Sequence, residues 1–142
     1  MTSNTYEPLI ATGGQPSPQH LADLMQQGVR SIINLRAAEE PVDFDEAQAC
    51  ADLGLSYQNL PVAGGDAIDA ATVQAFSRLL ADAGNKGTVF VHCATGNRAG
   101  ALLALDRIGA GGDVEEASVY GKQFGLDGLI DRVRAIAQTL PR

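Results

Sequence analysis

A cysteine and an arginine with four residues between them, Cys93 and Arg98, are the pair in this sequence best suited to covalent chemistry. They lie in the stretch Val89-Phe90-Val91-His92-Cys93-Ala94-Thr95-Gly96-Asn97-Arg98-Ala99-Gly100. An apolar run ends at His92, a loop of small residues follows, and an apolar helix starts near Arg98. A loop curled over a helix N-terminus turns several backbone N–H groups into one concavity, which attracts an anion. Gly96 permits the backbone conformation that such a curl requires. Arg98 adds a planar fork matched to two oxygens of a phosphate-like group. The same positive field favours the thiolate of Cys93, the nucleophilic form. Ala94, Thr95, Gly96, Asn97 and Ala99 complete the expected anion-binding loop. A blander reading remains, with Cys93 a core cysteine at a strand end and Arg98 a surface helix residue.

The elements that must hold this loop can be read from pattern. Ser17 followed by Pro18 marks an N-cap and first helical position, with Leu21, Leu24 and Met25 as the apolar stripe before Gly28. A second helix is expected from about Asp43 to Leu53. A third starts at Asp69, with Ile68 and Val73 spaced as a hydrophobic staple. Ala99 to Ile108 is apolar nearly all round, the mark of a buried helix. Asp113 and Glu116 open another helix, and Leu129, Ile130, Val133, Ile136, Ala137 and Leu140 mark the last. Strands fit between them at Leu9–Thr12, Val29–Leu35, Ser56–Val62 and Thr88–His92. This alternation predicts an α/β fold, one domain over residues 1–142. Its sheet is largely parallel, of four to five strands, with helices on both faces. Ligands of such sheets gather at the carboxyl ends of the strands. Arg36, the segment Ala63-Gly64-Gly65-Asp66, and Cys93 all fall there.

Composition narrows the partners. With 10 basic and 17 acidic residues the net charge is -7, which argues against a broad nucleic-acid surface but not against a small anion pocket. Met1 to Tyr6 is polar, and no window approaches a membrane span, so no membrane association and a cytoplasmic location are expected. Cys50 and Cys93 are too few for a disulfide framework, and with His20 and His92 they supply little for a metal site. No metal and no organic cofactor is expected. A regulatory disulfide between the two cysteines requires their Cα atoms to approach within about 7 Å. Gly109 to Gly112 lacks the strand-before, helix-after context of a dinucleotide motif and reads as a turn.

His92-Cys93-x-x-Gly96 resembles the start of the signature loop of cysteine-dependent protein tyrosine and dual-specificity phosphatases. The resemblance extends through Gly28 to Leu35, Leu60-Pro61-Val62, and the helix containing Phe76. It is strongest to a bacterial phosphatase-like family that forms the partner domain of beta-lactamase-hydrolase-like proteins. The matching motifs are Gly14-Gln15-Pro16-Ser17, Asn34-Leu35-Arg36 and Cys93-Ala94-Thr95-Gly96-Asn97-Arg98. The resemblance implies the dual-specificity phosphatase fold, with Cys93 as nucleophile and Arg98 as oxyanion ligand. It also implies a supporting place for His92, packed under the loop and bonding its amides, and for Gln15 near the loop. Arg36 either widens the anion site or pairs with Glu39 or Glu40.

Three departures from a phosphatase keep a second chemistry open. The phosphatase signature has five residues between its Cys and Arg, whereas this loop has four and is similar to that of rhodanese-type sulfurtransferases, which carry a persulfide. The general-acid Asp expected just after Val62 is replaced by Ala63-Gly64-Gly65, with Asp66 the nearest substitute. The hydroxyl that follows the Arg in the family is replaced by Ala99, leaving Thr95 as another hydroxyl in the loop. The sequence therefore predicts a small anionic substrate, either a phosphate ester or a thiosulfate or persulfide donor. A non-catalytic phosphate or phosphopeptide binder is the third reading. Asp69 reads as an N-cap and Cys50 as core.

Overall fold

A computed structural model describes residues 9–140. The polar start, Met1 to Tyr6, lies outside them. Among the described residues there are four strands: β1 (Ile10–Gly13), β2 (Val29–Asn34), β3 (Ser56–Asn59) and β4 (Thr88–His92). Six α-helices accompany them: α1 (Pro18–Gln26), α2 (Glu46–Leu53), α3 (Ala70–Gly84), α4 (Asn97–Gly109), α5 (Val114–Gln123) and α6 (Ile130–Ala137). The strands form one parallel sheet in the order β1-β4-β2-β3. This is the predicted α/β class, and β4, which leads to Cys93, is one of the two central strands.

Caps set most of the helix boundaries. The side chains of Ser17, Asp45, Asp69 and Asp113 accept from His20, Gln48, Thr72 and Glu116 N–H groups, starting α1, α2, α3 and α5. Capping by Asp45 moves the start of α2 three residues past the expected Asp43, to Glu46. β3 is also shorter than the predicted Ser56–Val62. Pro61 has no N–H to give, so the regular ladder stops at Asn59, although Leu60 and Val62 still donate to Asn34 and Leu35 carbonyls at 2.9 Å each.

Each sheet face packs its own core. Val89 and Val91 of β4 and Ile33 of β2 point into the larger cluster with α3, α4, α5 and α6. Phe90 and Ile32 point the opposite way, against Leu21, Leu24 and Cys50 of α1 and α2. Val29 joins that second cluster although three positions separate it from Ile32. The register irregularity between Val29 and Ser31 makes this possible in a chain whose side chains otherwise alternate. Phe76 of α3 is fully buried, a burial worth about 2–3 kcal/mol.

α4 carries the loop's arginine and is fixed by very close packing on α5. A Cβ at Gly100 would lie 2.3 Å from Leu126 N and 2.7 Å from Gly121 O, both backbone atoms. Gly100→Ala is therefore expected to destabilise the protein by about 3 kcal/mol in urea unfolding. The helix propensity of Ala favours the reverse by only about 1 kcal/mol. A variant as stable as the wild type would show that α4 and α5 are not in this contact.

Candidate active site

The loop begins where β4 ends, and two strands fix its entry. Cys93 N–H donates to the Gly13 carbonyl at 3.2 Å, and the His92 carbonyl accepts from Leu35 N–H at 2.8 Å. Gly14, just past β1, closes against the loop: a Cβ there would lie 2.6 Å from the Ala94 carbonyl oxygen. Gly96 adopts φ +94°, the left-handed conformation anticipated for it. Its N–H turns back to donate to Cys93 Sγ at 3.0 Å. Its carbonyl accepts from Gly100 N–H at 2.9 Å, so the curl runs directly into α4.

α4 differs from α1, α2, α3 and α5 in having no side-chain cap. Its first turn therefore has no cap side chain to satisfy its amides. The Asn97 side chain points away and accepts from Asp127 N–H at 2.7 Å, tying the loop to the α5–α6 connection. Cys93 is fully buried, whereas Ala94 and Thr95 are exposed.

Arg98 is about nine-tenths buried and held by three donated hydrogen bonds. Nη1 donates to Glu40 Oε2 at 2.8 Å and to the Val62 carbonyl at 2.6 Å, and Nη2 donates to Glu40 Oε1 at 2.8 Å. The hydrogen bond to Glu40 raises the Arg98 pKa against the opposing effect of burial, and the Glu40 charge adds to the rise. Reciprocally, the hydrogen bond from Arg98 pulls the Glu40 carboxyl down to about 2 from its usual 4.5.

This coupling has a pH signature. The folded value of Glu40 is depressed, so the stabilisation is complete above the unfolded value of 4.5 and lost as pH falls through about 2. Allowing for the solvent that still reaches Glu40, the pair is worth about 2 kcal/mol. Urea unfolding should show wild type exceeding Glu40→Gln by about that much at pH 7, the gap closing from pH 4.5 downward. A gap independent of pH would contradict the pairing.

The supporting residues named from sequence meet in one polar network. His92 Nε2 lies 2.6 Å from Glu46 Oε2, both side chains almost fully buried. His92 therefore bonds a carboxylate from α2 rather than the loop amides expected of it. Its ring stacks on Phe90. Glu46 Oε1 accepts from Gln15 Nε2 at 3.0 Å, and Gln15 Oε1 accepts from Arg36 Nη1. Arg36 Nη2 donates to the Pro41 carbonyl at 2.9 Å, and its Nε lies 3.5 Å from Glu40 Oε1. From the sequence Glu40 reads only as a partner of Arg36, and position 46 only as part of the helix expected from Asp43 to Leu53.

Asp66 and Thr95 stand outside this network, with exposed side chains. Asp66 lies on a short 3-10 turn, Gly65–Ala67, whose backbone is secured by Arg132. Arg132 Nη2 donates to the Asp66 and Ile68 carbonyls at 3.2 and 2.7 Å. Cys50 is a free thiol in the core across the sheet from Cys93, and burial pushes its pKa up to about 12. It stays protonated and unreactive at neutral pH. Among the described residues no three His, Cys, Asp or Glu side chains gather to hold a metal, and no helix is long and apolar enough to cross a membrane.

Known proteins resemble this chain in sequence and in fold. The family described as "DSP-PTPase phosphatase fused to NAD+ Kinase" matches residues 1–130. The "Beta-lactamase hydrolase-like protein" of Xylella fastidiosa (strain Temecula1 / ATCC 700964) is 37% identical over 123 residues, 83% of this chain. The chain spans only 28% of that relative's length. A DUF442 protein of Shewanella putrefaciens CN-32 superposes with a TM-score of 0.73 at 22% identity, covering 95% of this chain and 90% of its own. TpbA of P. aeruginosa, solved in complex with pTyr, gives 0.70 at 21% identity, covering 99% of this chain and 88% of its own. These two likenesses establish a shared fold.

Proposed function

This chain belongs to the DSP-PTPase phosphatase family, and from that premise we propose that it hydrolyses phosphate monoesters through a covalent intermediate on Cys93. The observation that carries the reading is the Cys93 sulfur under a curl of backbone amides, with Gly96 N–H at 3.0 Å and the uncapped start of α4 beside it. Arg98 lies in the first turn of that helix, with its guanidinium held by Glu40 and the Val62 carbonyl.

In the first step the Cys93 thiolate attacks phosphorus, forming the S–P bond as the P–O bond to the leaving group breaks. The loop amides of residues 94–99 and Arg98 bind the equatorial oxygens, where negative charge accumulates. Asp66 is the acid proposed to protonate the departing oxygen, carried on the turn that Arg132 anchors. Water then attacks the phosphocysteine, releasing inorganic phosphate and restoring the thiolate. A small anionic ester, tyrosyl phosphate among them, suits this chemistry.

A specific feature supports a second reading. The loop has four residues between Cys93 and Arg98, with Ala99 in place of a hydroxyl that would assist the second step. Sulfur transfer needs neither that hydroxyl nor an acid: the Cys93 thiolate takes the outer sulfur of thiosulfate, sulfite leaves, and a thiol acceptor removes the sulfur. The test is an assay with an aryl phosphate and, separately, with thiosulfate plus a thiol acceptor, with intact mass measured on the quenched protein. Phosphate release with a phosphate adduct on Cys93 is the expected result. One added sulfur on Cys93 without phosphate release would replace the reading with sulfur transfer. Phosphate binding without turnover of either substrate would leave a binding module.

A further inference from the structure

The turn that carries Asp66 has little of its own to hold it. It follows Ala63-Gly64-Gly65, which brings no polar side chain, and glycine is the residue with the most backbone freedom to lose. Within the turn, Ala67 N–H donates to the Gly64 carbonyl at 3.0 Å and Ile68 N–H to the Gly65 carbonyl at 3.1 Å, and no side chain caps it. Its outside anchor comes from α6. Arg132 Nη2 donates to the Asp66 and Ile68 carbonyls at 3.2 and 2.7 Å. Leu129, at the start of the same helix, packs so closely on Gly65 that a Cβ there would have no room. Both arginine bonds go to backbone carbonyls, so they fix the turn while the Asp66 side chain stays exposed.

The same stretch of chain also reaches the anion loop. Gly125, at φ +107°, lies so near Gly96 that a Cβ on it would come 2.8 Å from the Gly96 carbonyl oxygen. Asp127 N–H donates to Asn97 Oδ1 at 2.7 Å. Between Gly125 and Arg132 the chain therefore touches first the loop that holds Cys93 and then the turn that holds Asp66. Val133 and Ile136 of α6, buried in the core, fix this segment from behind. A general acid works only within hydrogen-bond reach of the oxygen it protonates, so a link of fixed length between turn and loop bears directly on the chemistry.

We propose that Arg132 is a positioning residue, which ties the Asp66 turn to α6 and so holds Asp66 at a set place relative to the Cys93 loop. It touches neither substrate nor leaving group and acts only through the backbone of the turn. The inference rests on the reading of Asp66 as the acid of the proposed function, and it names what keeps that acid in reach.

The test compares kcat/KM for phenyl phosphate and 4-nitrophenyl phosphate in wild type, Asp66→Asn, Arg132→Met, Arg132→Lys and the Asp66→Asn/Arg132→Met double variant, each checked for a cooperative thermal transition. Phenolate needs a proton as the P–O bond breaks, whereas 4-nitrophenolate spreads its charge and leaves with little help. Arg132→Met is expected to lower kcat/KM about tenfold to a hundredfold for phenyl phosphate and less than about threefold for 4-nitrophenyl phosphate, the pattern also expected of Asp66→Asn. Arg132→Lys should recover part of the loss, because one ammonium can still reach one of the two carbonyls. In the Asp66→Asn background Arg132→Met should cost little more, since both act on one proton transfer. No loss in Arg132→Met, an equal loss on both esters, or full additivity would overturn the inference, the second by showing that Arg132 serves the fold at large. Should Asp66→Asn affect both esters alike, or wild type hydrolyse neither, the acid reading fails on its own. Arg132 is then judged by amide hydrogen exchange at Ala67 and Ile68, expected to quicken in Arg132→Met while that of Val91 holds, and unchanged exchange would overturn the inference.

Discussion

Cys93→Ser is expected to lower aryl phosphate turnover by roughly 10⁴-fold or more while leaving the fold intact and phosphate bound. The exchange replaces a sulfur by a smaller oxygen at a fully buried position, so packing loses little. Gly96 N–H, which donates to Sγ at 3.0 Å, can donate to a hydroxyl oxygen as well. Chemistry loses far more. An alcohol is a much weaker acid than a thiol, so serine presents a neutral hydroxyl where the thiolate would stand, and the group bonded to that position is the Gly96 N–H, a donor and not a base. Removal of a nucleophile from an enzyme whose other groups are intact is the change to which turnover responds most strongly. The separation of the two effects is the diagnostic. Turnover should vanish in a steady-state assay while calorimetry still finds phosphate bound at close to the wild-type affinity. A serine variant retaining more than about a tenth of the wild-type rate would remove Cys93 from the role of nucleophile.

What the sequence discloses about this site follows distance along the chain. The loop was legible because its parts are local: a strand end, a glycine and an arginine within six residues of Cys93. The φ of +94° at Gly96 and the start of α4 at Asn97 follow from that stretch alone. Helix caps were equally local, and Ser17, Asp69 and Asp113 stand where their residue types place them. The carboxylates were not legible in this way. Glu40 meets Arg98 across 58 positions, and Glu46 meets His92 across 46. Neither contact leaves a periodic or spaced trace, because it arises only when β2, β4 and α2 pack. Glu40 lies in the loop after β2, where an acidic residue next to Arg36 looks like a surface pair. Glu46 sits in the first turn of α2, where a carboxylate is explained by the helix dipole alone.

The overlong β3 boundary has a local cause in Pro61. Apolar pattern carried β3 on through Val62, and the backbone does run beside β2 that far, but Pro61 interrupts the ladder. That interruption has a use. Beyond it the Val62 carbonyl is free of the sheet's regular pairing and accepts from Arg98 at 2.6 Å.

Arg98→Lys is the second large expected loss, about 10²–10³-fold in kcat/KM for an aryl phosphate. Charge is conserved in this substitution, so the loss isolates geometry. Arginine here makes five directed donations possible at once, three backward to Glu40 and Val62 and two toward the anion. Lysine has three donors on a single nitrogen, which can satisfy Glu40 or reach the anion but cannot hold both in a plane. If its ammonium stays with Glu40, the anion keeps only the loop amides. If it moves to the anion, Glu40 is left mostly buried, with a side chain 22% exposed, and without the partner that holds its carboxyl near 2. Either outcome weakens binding of the pentacoordinate transition state more than that of the ester, because charge on the equatorial oxygens grows as the S–P bond forms. The fall should therefore appear in kcat as well as in KM. Inorganic phosphate should bind more weakly too, but by a smaller factor than kcat/KM falls. A lysine variant with wild-type kcat and only a raised KM would mean that Arg98 binds substrate and transition state alike, and that its fork contributes nothing specific to the chemical step.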